Sequence, residues 1–158
     1  VEGRMITDKR SKKNVSPLIY FLTSILLMVA LKFLLPETKL FPTWWSLLGL
    51  LPFTIGIVIN LLADQALKIA ETTVRPFKES SALVTSGIYR ITRNPMYLGM
   101  GLILAGIVLL LNNLLLFSVV AVFIVLISSH FIQVEEEMLA DKFGKDWLQY
   151  KAKTRRWI

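Results

Sequence analysis

Two short segments contain most of the residue types that could bind a polar ligand or take part in catalysis. The first runs from Leu83 to Gly99 and includes the consecutive residues Arg-Asn-Pro-Met-Tyr-Leu-Gly, and the second is the acidic triplet at 135–137. Carboxylates bind cationic groups, and aromatic rings cover flat or cationic ligands. The segments are far apart in the chain, so they form one site only if the fold brings them together.

Other residues with possible chemistry also have ordinary structural interpretations. His130 is the only histidine, and a lone histidine is more often a hydrogen-bonded structural residue than a catalyst. With no second histidine and no cysteine, metal binding is not expected. Gly99 and Gly101 form a notch that could admit a flat ligand, but small residues more often pack against another helix, as we expect for Gly106. Tyr89 and Tyr97 could simply anchor the chain at a membrane interface.

The elements that must position these residues are long apolar runs. Hydrophobic residues make up 54% of the 158 residues, more than a soluble domain of this size could bury. A helix needs roughly 20 such residues to cross a bilayer. We predict an all-α polytopic membrane helix bundle and a single membrane domain over 5–158. Its four spans lie at about 17–35, 45–63, 95–111 and 114–132, with a connector at 64–94 and a helical tail at 134–158.

Local signals set the expected ends of these spans. Asp64 is predicted to end the second span, and Asn94 is predicted to cap the third, with Pro95 in its first turn. Asn112 and Asn113 indicate a tight turn into the fourth span, so the last two spans form a helical hairpin. The start of one and the finish of the other then lie at the same membrane depth, where the two polar segments can share a pocket.

The basic residues predict the orientation of the chain. Sixteen of the eighteen Lys and Arg precede the first span, lie in the connector or follow the fourth span. Positive charge collects on the cytosolic side of membrane proteins, so both termini and the connector are predicted to be cytosolic. This distribution explains the net charge of +7 without nucleic acid. Residues 1–4 resemble the remnant of a protease-cleavable tag before Met5.

At these same residues the sequence resembles the isoprenylcysteine carboxyl methyltransferase and phospholipid methyltransferase superfamily of integral membrane enzymes. The resemblance covers roughly the C-terminal half. It consists of the two segments above, the stretch from Leu139 through Phe143-Gly144 to Tyr150, and the basic, aromatic end Arg155-Arg156-Trp157. It implies S-adenosylmethionine as methyl donor, S-adenosylhomocysteine as product and a lipophilic or lipid acceptor.

The resemblance also implies which residues bind the methyl donor: Ala82, Leu83, Val84, Tyr89, Asn94, Pro95, Met96, Tyr97 and Glu135, with Glu136, Gly99 and Gly101 as weaker candidates. Methyl transfer depends mainly on positioning, and an acceptor that loses a proton needs a base, for which Glu136 and His130 are candidates. The chain departs from the family at two positions. Asn94 stands where many members have His, and Phe131 stands where the carboxyl methyltransferases have an Arg that holds the substrate carboxylate.

Two alternatives remain open on the sequence alone. A membrane reductase of the sterol reductase type would share a related C-terminal pattern but would use NADPH. A non-catalytic membrane adaptor would keep the fold without the activity. The identity of the acceptor and the oligomeric state are also open.

Overall fold

A computed structural model describes residues 16–71 and 82–158, and in these residues the chain is helical with no β-sheet. The expectation for residues 1–4 and the central part of the connector lie outside the described residues. Three helical stretches are long and apolar enough to cross a membrane: Pro17–Leu34, Thr43–Ile69 and Leu114–Lys153. A fourth apolar helix, Pro95–Leu111, is slightly shorter. The prediction of an all-α membrane helix bundle is confirmed.

Helix α1 (Pro17–Leu34) begins where the sequence supplies a cap. The Ser16 hydroxyl accepts a hydrogen bond from the Leu18 N–H at 3.3 Å, and Pro17 occupies the first helical position, where its missing N–H costs nothing. Of its side chains only Pro17 and Met28 are buried. Tyr20, Phe21, Ile25 and Leu31 pack partly buried against the core. Side chains such as Leu26 and Phe33 are exposed and form the surface that we expect to face lipid.

Helix α2 (Leu50–Ile69) follows directly from a 3₁₀ turn at Thr43–Gly49. It does not stop at Asp64, where the sequence predicted the second span to end, but continues to Ile69. Asp64 is compatible with this longer helix because it forms an ion pair with Lys68, one turn further on. A charged residue can end the apolar part of a helix without ending the helix itself.

Helix α3 (Pro95–Leu111) is the central helix and packs most extensively against α2. Paired glycines let the two backbones approach closely. A Cβ built on Gly106 would lie 2.7 Å from the Gly49 carbonyl oxygen, and one built on Gly56 would lie 2.5 Å from the Gly99 carbonyl oxygen. Small residues at a transmembrane interface permit this kind of contact. Gly99 and Gly106 therefore take the helix-packing role, whereas a Cβ on Gly101 would meet nothing within 4 Å.

The chain reverses direction after α3 through two asparagines. Asn112 adopts the left-handed conformation (φ 49°), and its side-chain amide donates to the Phe41 carbonyl at 2.8 Å. Asn113 is fully buried, accepts from the Thr38 hydroxyl at 2.8 Å and donates to the Pro36 carbonyl at 3.1 Å. These bonds fasten the turn to the loop between α1 and α2.

After a 3₁₀ turn at Leu114–Leu116, the chain forms α4 (Phe117–Ile127), a π-helical turn at Ser128–Ile132 and α5 (Gln133–Lys153). These elements run into one another, so the helix continues beyond the apolar stretch that ends at Ile132. Only Gly144 leaves helical geometry, with φ 48° and ψ −114°, where it kinks α5. The first turn of α5 and the first turn of α3 consequently lie at the same end of the bundle.

Candidate functional site

The two polar segments meet at this end of the bundle. The Tyr97 hydroxyl, in the first turn of α3, donates a hydrogen bond of 2.7 Å to Oε1 of Glu135, in the first turn of α5. The predicted convergence of residues far apart in the sequence is therefore confirmed. Because a phenol that donates to a carboxylate forms a charge-assisted bond, this contact ties the two helices together at their polar ends.

Glu135 is half-buried, and among the described residues its hydrogen-bond partner is Tyr97. It lies beyond the apolar stretch, and loss of hydration raises its pKa to about 7, although the hydrogen bond from Tyr97 acts in the opposite direction. A carboxyl group poised near neutral pH is common at functional sites. It would be stabilised in its charged form by a cationic ligand.

Glu136 has quite different surroundings. Its side chain is 8% exposed, and both of its oxygens are occupied by guanidinium groups. Arg156 binds it in bidentate fashion, with Nε to Oε1 at 3.2 Å and Nη2 to Oε2 at 2.7 Å, and Nη2 of Arg93 lies 3.1 Å from Oε1. The predicted role of Glu136 as a base remains a prediction, but these contacts favour a carboxylate that organises its neighbours.

The loop that enters α3, residues 82–94, lies beside these carboxylates, and we call it the site loop. Within it Val84 is buried, while Ala82, Leu83 and Tyr89 are half-buried. The Tyr89 carbonyl accepts a hydrogen bond of 2.7 Å from the Tyr150 hydroxyl on α5. Burial raises the pKa of the Tyr89 phenol, which therefore stays protonated. The loop thus places a neutral phenol close enough to Glu135 for an electrostatic interaction.

Asn94 lies at the start of α3 but does not cap it with its side chain, contrary to the sequence prediction. Its Nδ2 instead donates to the Arg156 carbonyl at 3.0 Å, and its backbone N–H donates to the Thr92 hydroxyl at 3.2 Å. This bond turns the amide toward Arg156, and its oxygen accepts no capping hydrogen bond from the first turn of α3. Pro95 follows it and is buried, and Met96 is half-buried beside it.

His130 belongs to the π-helical turn before α5. Its Nδ1 lies 3.0 Å from the Leu126 carbonyl, and its ring is half-buried, 6.3 Å from the ring of Tyr20 on α1. The neighbouring Phe131 is 1% exposed and packs edge-on against Tyr20, with ring centroids 5.4 Å apart. A π-helical turn often marks a functional segment, although these contacts also suit a structural role.

Tyr20 also lines an apolar groove between α1 and α4 with a volume of about 430 Å³. Its walls are mainly aliphatic and aromatic, including Leu27, Leu31, Val122, Phe123 and Leu126. The groove runs along both helices through the apolar part of the bundle. Its Tyr20 end is the one nearest His130 and Phe131.

Sequence reasoning overlooked several residues that hold the site together. Arg93, Tyr150 and Arg156 belong to the family pattern but were not singled out, and Thr92 and Trp147 were not considered as residues of the site. Arg93 lies over the Trp147 ring at 5.7 Å and donates to the Lys151 carbonyl at 3.0 Å. The family pattern could have predicted these residues, because they all lie within its segments.

Comparison with known proteins agrees with this arrangement. The sequence pattern of a family described as phospholipid methyltransferase matches residues 44–146. Protein-S-isoprenylcysteine O-methyltransferase of Saccharomyces cerevisiae is 32% identical over 131 residues, which are 77% of this chain and 54% of the yeast protein. An uncharacterized protein of Haemophilus influenzae is 43% identical over 63 residues, which are 40% of this chain and the whole of that protein. No solved structure gives a significant match.

The membrane helix bundle and the family match define a member of a family of integral membrane methyltransferases. The chain belongs to the phospholipid methyltransferase family, and its resemblance to the superfamily that includes the isoprenylcysteine enzymes is confirmed. It spans about half the length of the yeast relative. Neither the reductase nor the adaptor alternative is favoured by these findings.

Proposed function

We propose that this protein transfers a methyl group from S-adenosylmethionine to a lipophilic acceptor within the membrane. The observation that carries the proposal is the 2.7 Å contact between Tyr97 and Glu135, which brings the two polar segments together at the end of an apolar bundle. Its surroundings fit this methyl donor chemically. Glu135 can bind an ammonium group or ribose hydroxyls, the aromatic rings can cover adenine or the sulfonium, and site-loop N–H groups can bind a carboxylate.

The proposed donor-binding set combines three elements. Glu135 comes from α5, and Pro95, Met96 and Tyr97 come from α3. The site loop contributes Ala82, Leu83, Val84, Tyr89 and Asn94. Gly101 is a weaker member of this set, and the contact of Gly99 with α2 favours a packing role for it. The bound donor supplies an activated methyl group, so the protein's task is to align an acceptor with that group and exclude water.

The acceptor is proposed to enter from the lipid phase with its apolar part in the groove between α1 and α4. The groove's apolar lining fits a hydrocarbon chain, and its Tyr20 end is near the polar end of the bundle. If the acceptor is an amine or a phenol, a base must accept its proton. The contacts favour His130 over Glu136 for this task, because both oxygens of Glu136 are already occupied by arginines.

The nature of residue 131 bears on which acceptor is used. Phe131 is buried against Tyr20 and offers no charge to a substrate carboxylate. We therefore expect prenylcysteine analogues to be poor substrates compared with a membrane lipid extract, assayed by transfer of a radiolabelled methyl group. Efficient methylation of prenylcysteine would show that the carboxylate is held by another residue and would contradict this expectation.

Orientation is part of the same proposal. The distribution of Lys and Arg predicts that the end of the bundle with Glu135 faces the cytosol, together with both termini. A water-soluble methyl donor would then reach the site from the cytosol. Cysteines introduced singly at exposed positions and tested with a membrane-impermeant thiol reagent would establish this, because the chain contains no cysteine of its own.

Titration calorimetry of the purified protein in detergent with S-adenosylhomocysteine tests the proposed function. We expect binding by the wild type and weaker binding by Tyr97→Ala and Glu135→Ala. Glu137→Ala is the matched control, because Glu137 is exposed and belongs to the same acidic triplet. A binding heat with NADPH but not with S-adenosylhomocysteine would favour the reductase, and no binding heat with either ligand would favour the adaptor.

A further inference from the structure

The segment that follows α5 turns back along the site loop. The Arg93 N–H donates to the Arg155 carbonyl at 3.0 Å. The next carbonyl, that of Arg156, accepts from the Asn94 side chain at 3.0 Å and from the Thr92 hydroxyl at 3.2 Å. Thr92 is fully buried and Asn94 is 8% exposed. The backbone of Arg156 therefore fixes two residues at the entrance of α3.

The side chain of Arg156 reaches a different element. Its guanidinium binds Glu136 in the first turn of α5 through two parallel hydrogen bonds, at 3.2 and 2.7 Å. A bidentate pair of this kind fixes orientation as well as distance. Glu136 directly follows Glu135 in the chain, so a constraint on Glu136 also limits where Glu135 can lie.

We infer that Arg156 is a positioning residue for the methyl-donor site, holding the site loop and the first turn of α5 in one fixed arrangement. The inference rests on the proposed function. Asn94 and Glu135 lie on different elements, and a ligand that bridges them is bound well only if their separation is maintained. Tyr97, Arg93 and Tyr150 each link α3 or the site loop to α5, and Arg156 adds a further link through both its backbone and its side chain.

The charges of the cluster make Arg156 the most informative residue to replace. Arg93 and Glu136 are both 8% exposed on their side chains, whereas the Arg156 side chain is 37% exposed. Without the Arg156 side chain, the buried Arg93 and Glu136 still neutralise each other, so the bundle should fold. Replacing Glu136 would instead leave a buried arginine without its anion, which is strongly destabilising.

The test compares Arg156→Gln, Arg156→Lys and Arg155→Gln for binding of S-adenosylhomocysteine by calorimetry in detergent. Arg156→Gln is expected to weaken binding roughly tenfold, the order of magnitude of a typical coupling between sites. Arg156→Lys keeps the charge but not the bidentate geometry, so its affinity should fall between those of the wild type and Arg156→Gln. Arg155→Gln is the matched control, because its side chain is exposed and it removes the same charge from the same segment.

A second measurement follows the segment itself. Ile158 is 70% exposed, and the chain has no cysteine, so a nitroxide attached to Ile158→Cys reports on one position only. In that background Arg156→Gln should increase the mobility of the label, with Arg156→Lys in between and Arg155→Gln unchanged. This readout does not require any ligand.

The outcomes separate the two proposals. Equal affinities of Arg156→Gln and the wild type, or an equal loss in Arg155→Gln, would overturn the positioning role. If the wild type binds no S-adenosylhomocysteine, the proposed function fails. The label mobilities would then still decide whether Arg156 holds the segment after α5. Equal label mobility in Arg156→Gln and Arg155→Gln would refute this structural role as well.

Discussion

Replacing Tyr97 with Phe tests how the carboxylate of the site is controlled. The substitution keeps the ring and removes only the hydroxyl that donates to Glu135 at 2.7 Å. A hydrogen bond to a charged group contributes about 1 kcal/mol more than one to a neutral group, which corresponds to roughly one pKa unit. Since the Tyr97 bond lowers the pKa of Glu135, its loss should raise that pKa from about 7 by about one unit.

The consequence for ligand binding follows from the charge. The ionised form of Glu135 attracts an ammonium group such as that of S-adenosylhomocysteine, so affinity for this ligand should increase as the pH rises through about 7 and then level off. In Tyr97→Phe this rise should be displaced to higher pH by about one unit. At pH 7 the ionised fraction then falls from about a half to about a tenth, which weakens binding about fivefold.

The assay is calorimetric titration at several pH values between about pH 6 and pH 9, within about two units of the Glu135 value. Glu135→Gln is the control, because it cannot ionise and should give weak binding without the rise near pH 7. An unchanged or lowered midpoint in Tyr97→Phe would refute the reasoning. So would a Glu135→Gln variant that keeps the wild-type pH profile.

Three further predictions concern stability in detergent. Gly106→Ala should lower the free energy of unfolding by about 1 to 3 kcal/mol, because its Cβ would lie 2.7 Å from the Gly49 carbonyl oxygen. Gly101→Ala is the control, because a Cβ there meets open space, and equal melting temperatures of the two variants would contradict the prediction. Asn113→Ala should cost about 1 to 3 kcal/mol, because the buried Asn113 side chain loses its hydrogen bonds with Thr38 and Pro36, and an unchanged denaturation midpoint would count against that role. Glu135→Gln should raise the melting temperature at pH 8, where wild-type Glu135 must carry a poorly hydrated charge, and a lower melting temperature would argue otherwise.

The features of this protein that the sequence predicted are those set by long-range regularities. Apolar runs of spanning length predict membrane helices, and the reversal at Asn112 and Asn113 predicts that α3 and α4 run side by side in opposite directions. From these two features alone, Tyr97 and Glu135 should approach each other, as they do. Their role in binding the methyl donor came from the family resemblance and remains a proposal.

Features that depend on individual side-chain partners were not predictable in the same way. Asn94 is a good helix cap by residue type, but a bond from its Nδ2 to the carbonyl of Arg156, distant in sequence, orients the side chain so that its oxygen does not cap α3. Asp64 was expected to end a helix, although a carboxylate one turn before Lys68 is also compatible with its continuation. The cluster around Glu136 requires the chain after α5 to return to the site loop, and no periodic pattern in the sequence encodes that return.

The central claim is that one binding site for S-adenosylmethionine lies between the first turn of α3, the site loop and the first turn of α5. Ultraviolet cross-linking of radiolabelled S-adenosylmethionine, followed by mass spectrometric mapping of the labelled peptides, measures this location directly. We predict label in peptides containing residues 82–97 or Glu135, abolished by excess S-adenosylhomocysteine and unaffected by NADPH. Label confined to other peptides, or label that excess S-adenosylhomocysteine does not displace, would contradict the claim.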